Sequence, residues 1–249
     1  MEFRIQGQTI RIAPRDHKNL TAMMAERLHA RRGFTLATLN LDHLQKLPRD
    51  PAFLAAYALH DLVVADGNPV VWLSRLAGRP VGLMPGADLV VPMARLAAEA
   101  GVRVALVGST EAALRGAEIG LCARVPTLEI AARLAPPMGF DPAGPEAMAM
   151  IEQLRASGAG MCFLALGAPK QEIFAAHARA ILPDMGFASV GAGLDFIAGE
   201  QWRAPLWVRR MALEWLWRML SSPRRMVPRY ARCAVIVPRL VWQAWRLRR

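Results

Sequence analysis

Short apolar runs alternate along this chain with longer stretches whose apolar residues recur at helical spacing. Phe34–Leu39, Leu62–Ala65, Val102–Val107, Met161–Leu166 and Phe187–Val190 read as buried strands, and a further short strand is expected near Thr127–Ile130. Between them lie helical patterns: Asn19–Arg31, a short helix running from Asn40 through Leu44 and Leu47, residues 51–60 opened by a proline, Asp88–Ala100, Glu111–Cys122, Pro145–Arg155 and Lys170–Leu182. Strands that alternate with helices of ten or more residues predict an α/β fold, a Rossmann-like and largely parallel sheet flanked by helices. The first twelve residues read instead as a small hairpin with Gly7 and Gln8 near its turn.

The pattern changes near Gly199–Arg203, which divides the expected body, residues 1–200, from an appendage, residues 201–249. Leu206–Leu220 reads as one amphipathic helix with Trp207, Met211, Trp215 and Met219 on one face and an i, i+4 ladder of Arg210, Glu214 and Arg218 on another. Residues 233–249 form a second apolar and arginine-rich segment, bent or interrupted at Pro238. Charge sharpens the division. The net charge is +11, yet the first 202 residues balance 19 basic against 19 acidic side chains, and everything from Arg203 onward holds twelve arginines and a single acid, Glu214. Five of the seven tryptophans, Trp207, Trp215, Trp217, Trp242 and Trp245, lie there too. Arginine with tryptophan suits an anionic lipid headgroup region, and a nucleic-acid arm would carry more Lys, Gly and Ser, so no nucleic-acid partner is expected. The chain has no apolar run of transmembrane length and its start has no signal-like core, which places it in the cytoplasm, attached peripherally to the inner face of the plasma membrane. Cys122, Cys162 and Cys233 are widely separated in apolar surroundings and read as reduced thiols.

Candidate chemistry sits where the strands end. Thr38-Leu39-Asn40, Asp66-Gly67, Gly108-Ser109-Thr110, Gly167 to Glu172 and Gly191 to Asp195 each follow an apolar run, so in a parallel sheet they gather along one rim, where ligands of such sheets bind. Asp66-Gly67-Asn68-Pro69 is in itself ordinary turn chemistry. Gly108 permits a tight turn, and Ser109 or Thr110 can cap the next helix, whose amides favour an anion such as a diphosphate. Pro169 suits a first helical position, with Lys170 and Gln171 projecting from that turn. Gly191-Ala192-Gly193 lacks the third glycine of a dinucleotide fingerprint. The five histidines are scattered and there is no D-x-D pair, so neither a metal nor another cofactor is expected. His60-Asp61 reads as a solvated helix end.

In this order the blocks TLN (Thr38–Asn40), ADG-x-P-V-x-W (Ala65–Trp72), PGADL (Pro85–Leu89), GAPKQE (Gly167–Glu172), RAP (Arg203–Pro205) and EWLWR…P-R-R…RY (Glu214–Tyr230) resemble the WecG/TagA/CpsF family of bacterial glycosyltransferases. The resemblance implies an inverting, metal-independent transfer from a UDP-sugar to a polyprenyl-diphosphate-linked sugar, in synthesis of a surface polysaccharide or cell-wall polymer. It implies that Asp66 is the general base, with Thr38, Asn40 and Gln171 around the reacting sugars. Gly108, Ser109, Thr110, Gly167, Lys170, Gln171, Glu172, Gly193 and Asp195 are the expected nucleotide-sugar residues. Arg203, Arg210, Arg218, Arg225 and Arg229 are expected to meet the acceptor or the membrane. Two positions depart from the family pattern: Leu83 stands where an arginine is usual, and Ser222 where glutamate is common. The donor sugar and the oligomeric state stay open, a homo-oligomer among the options. The alternative to an enzyme is a non-catalytic nucleotide-binding protein held to anionic membrane or RNA by its basic tail.

Overall fold

The computed structural model describes residues 1–108 and 110–248, and the side chain of Arg210 also lies outside the described set. Strands β1 (Glu2–Ile5) and β2 (Gln8–Arg11) form the expected antiparallel hairpin. The main sheet contains β3 (Phe34–Leu39), β4 (Leu62–Ala65), β5 (Val104–Gly108), β6 (Ile130–Leu134), β7 (Met161–Ala165) and β8 (Gly186–Ser189), in the order β4-β3-β8-β7-β5-β6. Every pairing in it is parallel, so all the carboxyl ends of the strands share one edge. The helices are α1 (His17–His29), α2 (Leu41–Lys46), α3 (Pro51–Ala58), α4 (Asn68–Leu76), α5 (Gly86–Glu99), α6 (Glu111–Arg124), α7 (Pro145–Ser157), α8 (Lys170–Ile181), α9 (Gly193–Ala198), α10 (Leu206–Arg210), α11 (Glu214–Ser221) and α12 (Pro223–Arg248).

Period-2 alternation within fully buried strands divides the core between the two faces of the sheet. Phe34, Leu36, Leu62, Val64, Val104, Leu106, Met161 and Phe163 pack with α1, α5, α6 and α9. The alternate residues pack on the other face. Ala37, Leu39, Val63 and Ala65 meet α3, α4 and the hairpin, while Ala105, Val107, Cys162 and Leu164 meet α7 and α8. The helices that follow the neighbouring strands β5 and β7 therefore leave toward opposite faces, which opens a crevice at their carboxyl ends.

Four elements differ from the sequence reading. The pattern assigns nothing to 68–76, where α4 starts on Gly67 (φ 114°) with Pro69 in its first turn, so the turn residues are the beginning of a helix. The strand expected near Thr127–Ile130 lies at Ile130–Leu134. Arg133 disguises it as a loop, and ion pairs with Glu111 and Glu118 of α6 supply its partners on that edge strand. The helix expected over 206–220 is broken in two at Ala212, which adopts φ 60° and closes α10. Its predicted apolar face is turned outward: Trp207, Met211 and Trp215 are exposed, whereas Val208 is buried. Nor does Pro238 interrupt the last segment, because α12 continues through both Pro228 and Pro238. His60-Asp61 follows the end of α3, with Asp61 exposed and His60 half-buried. His60 bonds to the Ala56 carbonyl, and Asp61 accepts from the backbone N–H and hydroxyl of Thr35.

The tail is anchored on the body at three places. Asp88 in the first turn of α5 binds Arg203 through two hydrogen bonds and lies 3.6 Å from Arg209. Asp42 of α2 lies 3.0 Å from Arg229 of α12. Ala244 is buried in the core beneath α4, with Ile236 and Leu240 packed beside it. Replacing Phe163, fully buried on the central strand β7, by alanine should cost about 3–5 kcal/mol, measured as a lowered urea midpoint.

Candidate functional site

The five polar turns do lie along one edge, and their spacing follows from strand order. Asp66 and Gly108 end strands four steps apart, roughly 20 Å at the usual inter-strand distance. The turns after β8 and β7, at Gly191 and Gly167, lie between them.

Asp66 is positioned by backbone first. Its N–H donates to the Leu39 carbonyl at 2.8 Å, extending the β3–β4 ladder by one residue and setting its side chain beside Asn40. Met84 N–H bonds to the Ala65 carbonyl on the other side, so Leu83 sits next to β4 at this edge. Asn40 is the N-cap of α2. Its Oδ1 accepts from the His43 N–H at 3.1 Å, which orients the amide so that Nδ2 donates to Asp66 Oδ2 at 3.4 Å. Burial pushes the Asp66 carboxyl up to about 6, the bond from Asn40 and the charges of Arg218 and Arg203 oppose that rise, and Glu214 adds to it. Two arginines and one carboxylate of the tail thus act on the end of β4.

Around them the polar turns are tied together. Gln171 is buried at the start of α8; its Oε1 accepts from the Gly191 N–H at 3.2 Å and its Nε2 donates to Glu172 Oε1 at 2.8 Å. One side chain thereby couples the turns after β7 and β8. Glu172 is fully buried and points inward rather than toward the rim; burial raises its carboxyl to about 7 against the bond from Gln171. Thr38 is buried on β3 and its hydroxyl reaches the Ser189 carbonyl at 3.5 Å. Lys170 is half-buried and forms no ion pair among the described residues. Thr110 caps α6 through the Ala113 N–H at 3.2 Å. Gly108 has φ 149°, and a Cβ there would lie 2.6 Å from the Ala165 carbonyl oxygen, so only glycine fits this turn. Ser109 lies outside the described residues. Gly193 packs against Val90, and Gly86 against Val190, which brings α5 and α9 into close contact. Asp195, in the first turn of α9, accepts from Gln201 at 2.8 Å.

The tail arginines separate by environment. Arg203 and Arg218 both stack on Phe196 of α9, at 5.8 and 5.7 Å from the ring centre, and Arg218 is held by Glu214 at 2.7 Å. Arg225 is exposed, Arg229 is paired with Asp42, and the side chain of Arg210 lies outside the described residues. Sequence reasoning did not single out Phe196, Asp42 or Lys46. Asp42 and Lys46 are separated by four residues on one helix, a detectable pairing signal, whereas the Phe196 sandwich joins residues distant in the chain and leaves no local pattern. Among the described residues, no group of three His, Cys, Asp or Glu side chains could hold a metal ion, and no helix is long and apolar enough to cross a membrane.

The sequence is similar to known proteins over most of its length. A family model described as "Glycosyl transferase WecG/TagA/CpsF family" matches residues 6–249. The N-acetylglucosaminyldiphosphoundecaprenol N-acetyl-beta-D-mannosaminyltransferase of Bacillus subtilis (strain 168) is 25% identical over 238 residues, covering 91% of this chain and 90% of its own. The protein of the same name from Bacillus spizizenii (strain ATCC 23059 / NRRL B-14472 / W23) is 28% identical over 210 residues, covering 82% and 79%.

Because the folded protein raises the Asp66 carboxyl from 3.8 to about 6, it binds that proton more tightly than the unfolded chain does. Stability therefore falls as pH rises through that window. Asp66→Asn should raise stability at pH 7.5 by on the order of 1–2 kcal/mol, allowing for partial solvent screening, with the gain vanishing near pH 4. Urea melts at the two pH values measure it.

Proposed function

The chain belongs to the WecG/TagA/CpsF family of glycosyl transferases and is a glycosyltransferase, and on that premise we propose that it moves one sugar, with inversion and without a bound metal, from a UDP-sugar to a polyprenyl-diphosphate-linked sugar. The observation that carries this reading is a half-buried carboxylate, Asp66, aligned by the Asn40 amide on the rim of a parallel sheet. Asp66 takes the proton of the acceptor hydroxyl while that oxygen forms a bond to the anomeric carbon. On the opposite side the bond from that carbon to the diphosphate oxygen breaks, and the electron pair leaves with UDP. A base whose carboxyl ionises near 6 is charged at neutral pH and retains more basicity than a solvated aspartate.

The turns at Gly108–Thr110, Gly167–Gln171 and Gly193–Asp195 hold the nucleotide and donor sugar, with the amides opening α6 and α8 facing the diphosphate. Arg203 and Arg218, stacked on Phe196, supply positive charge as UDP departs. Thr38 and Gln171 order the rim around the reacting sugars. The relatives act, by their names, on N-acetylglucosaminyldiphosphoundecaprenol and transfer an N-acetylmannosaminyl group, so that pair is the first to test here. Leu83 keeps other donors in play.

Residues 1–200 are the catalytic body in this reading, and 201–249 the docking appendage. The appendage presents Trp202, Trp207, Trp242 and Trp245 to solvent, between 42% and 89% exposed, among arginines such as Arg224, Arg225 and Arg246. That face suits peripheral attachment to the anionic inner leaflet of the plasma membrane, where the lipid-linked acceptor resides.

Purified protein, anionic liposomes and N-acetylglucosaminyl-diphospho-undecaprenol, given a panel of UDP-sugars with UDP-N-acetylmannosamine first, should release UDP with one donor. Release should be unchanged by EDTA and reduced at least about 100-fold by Asp66→Asn. Silence with every donor would overturn the transfer reading, and an Asp66→Asn variant of undiminished rate would remove Asp66 as the base while leaving the transfer in place.

A further inference from the structure

We propose that Asp42 is a positioning residue of the transfer site: its carboxylate, gripped by Arg229 of the tail and Lys46 of its own helix, fixes α2 and with it the Asn40 amide that faces Asp66. The inference rests on the transfer reading above and goes beyond it by giving Arg229 a task inside the protein.

Helix α2 is six residues long, too short to be stable by its own hydrogen bonds. What its side chains hold therefore decides where its N-cap points. Leu44 is buried in the core, and His43, buried and neutral, bonds to the Tyr57 hydroxyl at 2.9 Å. Asp42 is the third hold, and it faces the tail. Its side chain is only 8% exposed, with Oδ2 2.8 Å from Lys46 Nζ and 3.0 Å from a terminal guanidinium nitrogen of Arg229. Burial alone would raise this carboxyl, but Lys46 and Arg229 outweigh it and hold it below the ordinary aspartate value, so it stays charged. A buried carboxylate deprived of one of two cations is left uncompensated, and its helix must shift or take up water to solvate it.

The same group of charges reaches the opposite side of the site. Lys46 Nζ also donates to the Ala168 carbonyl at 3.4 Å, in the turn that leads to Gln171. Asn40, two residues before Asp42, caps the helix and donates to Asp66. One carboxylate thus joins the tail helix, the helix that orients the base, and the turn that carries Gln171. Arg229 differs here from Arg225, which is exposed and forms no ion pair among the described residues.

The test uses the full chain with N-acetylglucosaminyl-diphospho-undecaprenol in anionic vesicles and the UDP-sugar of the panel that turns over fastest. Arg229→Gln and Asp42→Asn should each lower kcat about tenfold, with acceptor KM and vesicle binding within about twofold of wild type, and the double variant should be no slower than the slower single one. Arg229→Lys should restore most of the rate. Hydrogen exchange over residues 41–46 should quicken in Arg229→Gln, a readout independent of turnover. Arg229 is 30% exposed, so its variants carry the test if Asp42→Asn does not fold. An active wild type whose Arg229→Gln variant keeps its kcat, or raises acceptor KM instead, overturns the positioning role alone, as do multiplying single effects or unchanged exchange. A silent wild type overturns the transfer reading itself.

Discussion

The amide of Asn40 is shared between two tasks, and the site depends on that division. Its oxygen closes the first turn of α2 and its nitrogen faces Asp66, so the cap cannot be satisfied without aiming a donor at the carboxylate. A carboxylate carried out of water favours its neutral form, and a donor favours its ionised form. The balance leaves Asp66 near 6, where it is charged at neutral pH but held only weakly in that state. Strand pairing supplies the remaining precision. The bond from Asp66 N–H to the Leu39 carbonyl continues the β3–β4 ladder, so the Asp66 backbone is tied to the sheet.

Charge organises the rest of the molecule around this point. The body is electrically balanced and the tail carries the whole excess. Body carboxylates fix part of that excess in place: Asp88 takes Arg203 and lies near Arg209, and Asp42 takes Arg229. Arg203 and Arg218 are further ordered by the face of Phe196. Arg224, Arg225, Arg232 and Arg246 are exposed beside the exposed tryptophans, where they form a polar and aromatic surface. A single helical tail therefore contributes charge to the rim and a basic, aromatic face to its surroundings.

Most of the sheet was legible because its strands are buried on both faces and read as unbroken apolar runs, as at Phe34–Leu39 and Met161–Ala165. Elements escaped detection where local chemistry competes with tertiary partners. Gly67, Asn68 and Pro69 are turn formers that here open α4, and Arg133 lies in a strand because Glu111 and Glu118 neutralise it. The break at Ala212 carries no glycine or proline to announce it. For the site, strand ends and turn residues placed Asn40, Asp66, Gln171 and the glycines on one rim. The burial of Glu172, the Phe196 sandwich and the Asp42–Arg229 ion pair were not legible. Each depends on burial or on contacts between residues remote in the chain, which no local spacing encodes.

The central claim is that Asp66 is the base and that Asn40 tunes it. The pH dependence of kcat/KM for UDP release, in wild type and in Asn40→Ala, tests both parts together. The base must be ionised, so kcat/KM should fall about tenfold per unit below a pH near 6. Loss of the bond that favours the ionised form should move that limb upward by roughly half a unit. A rate that does not fall between pH 7 and 5, or a limb that stays in place when Asn40 is removed, would contradict the account.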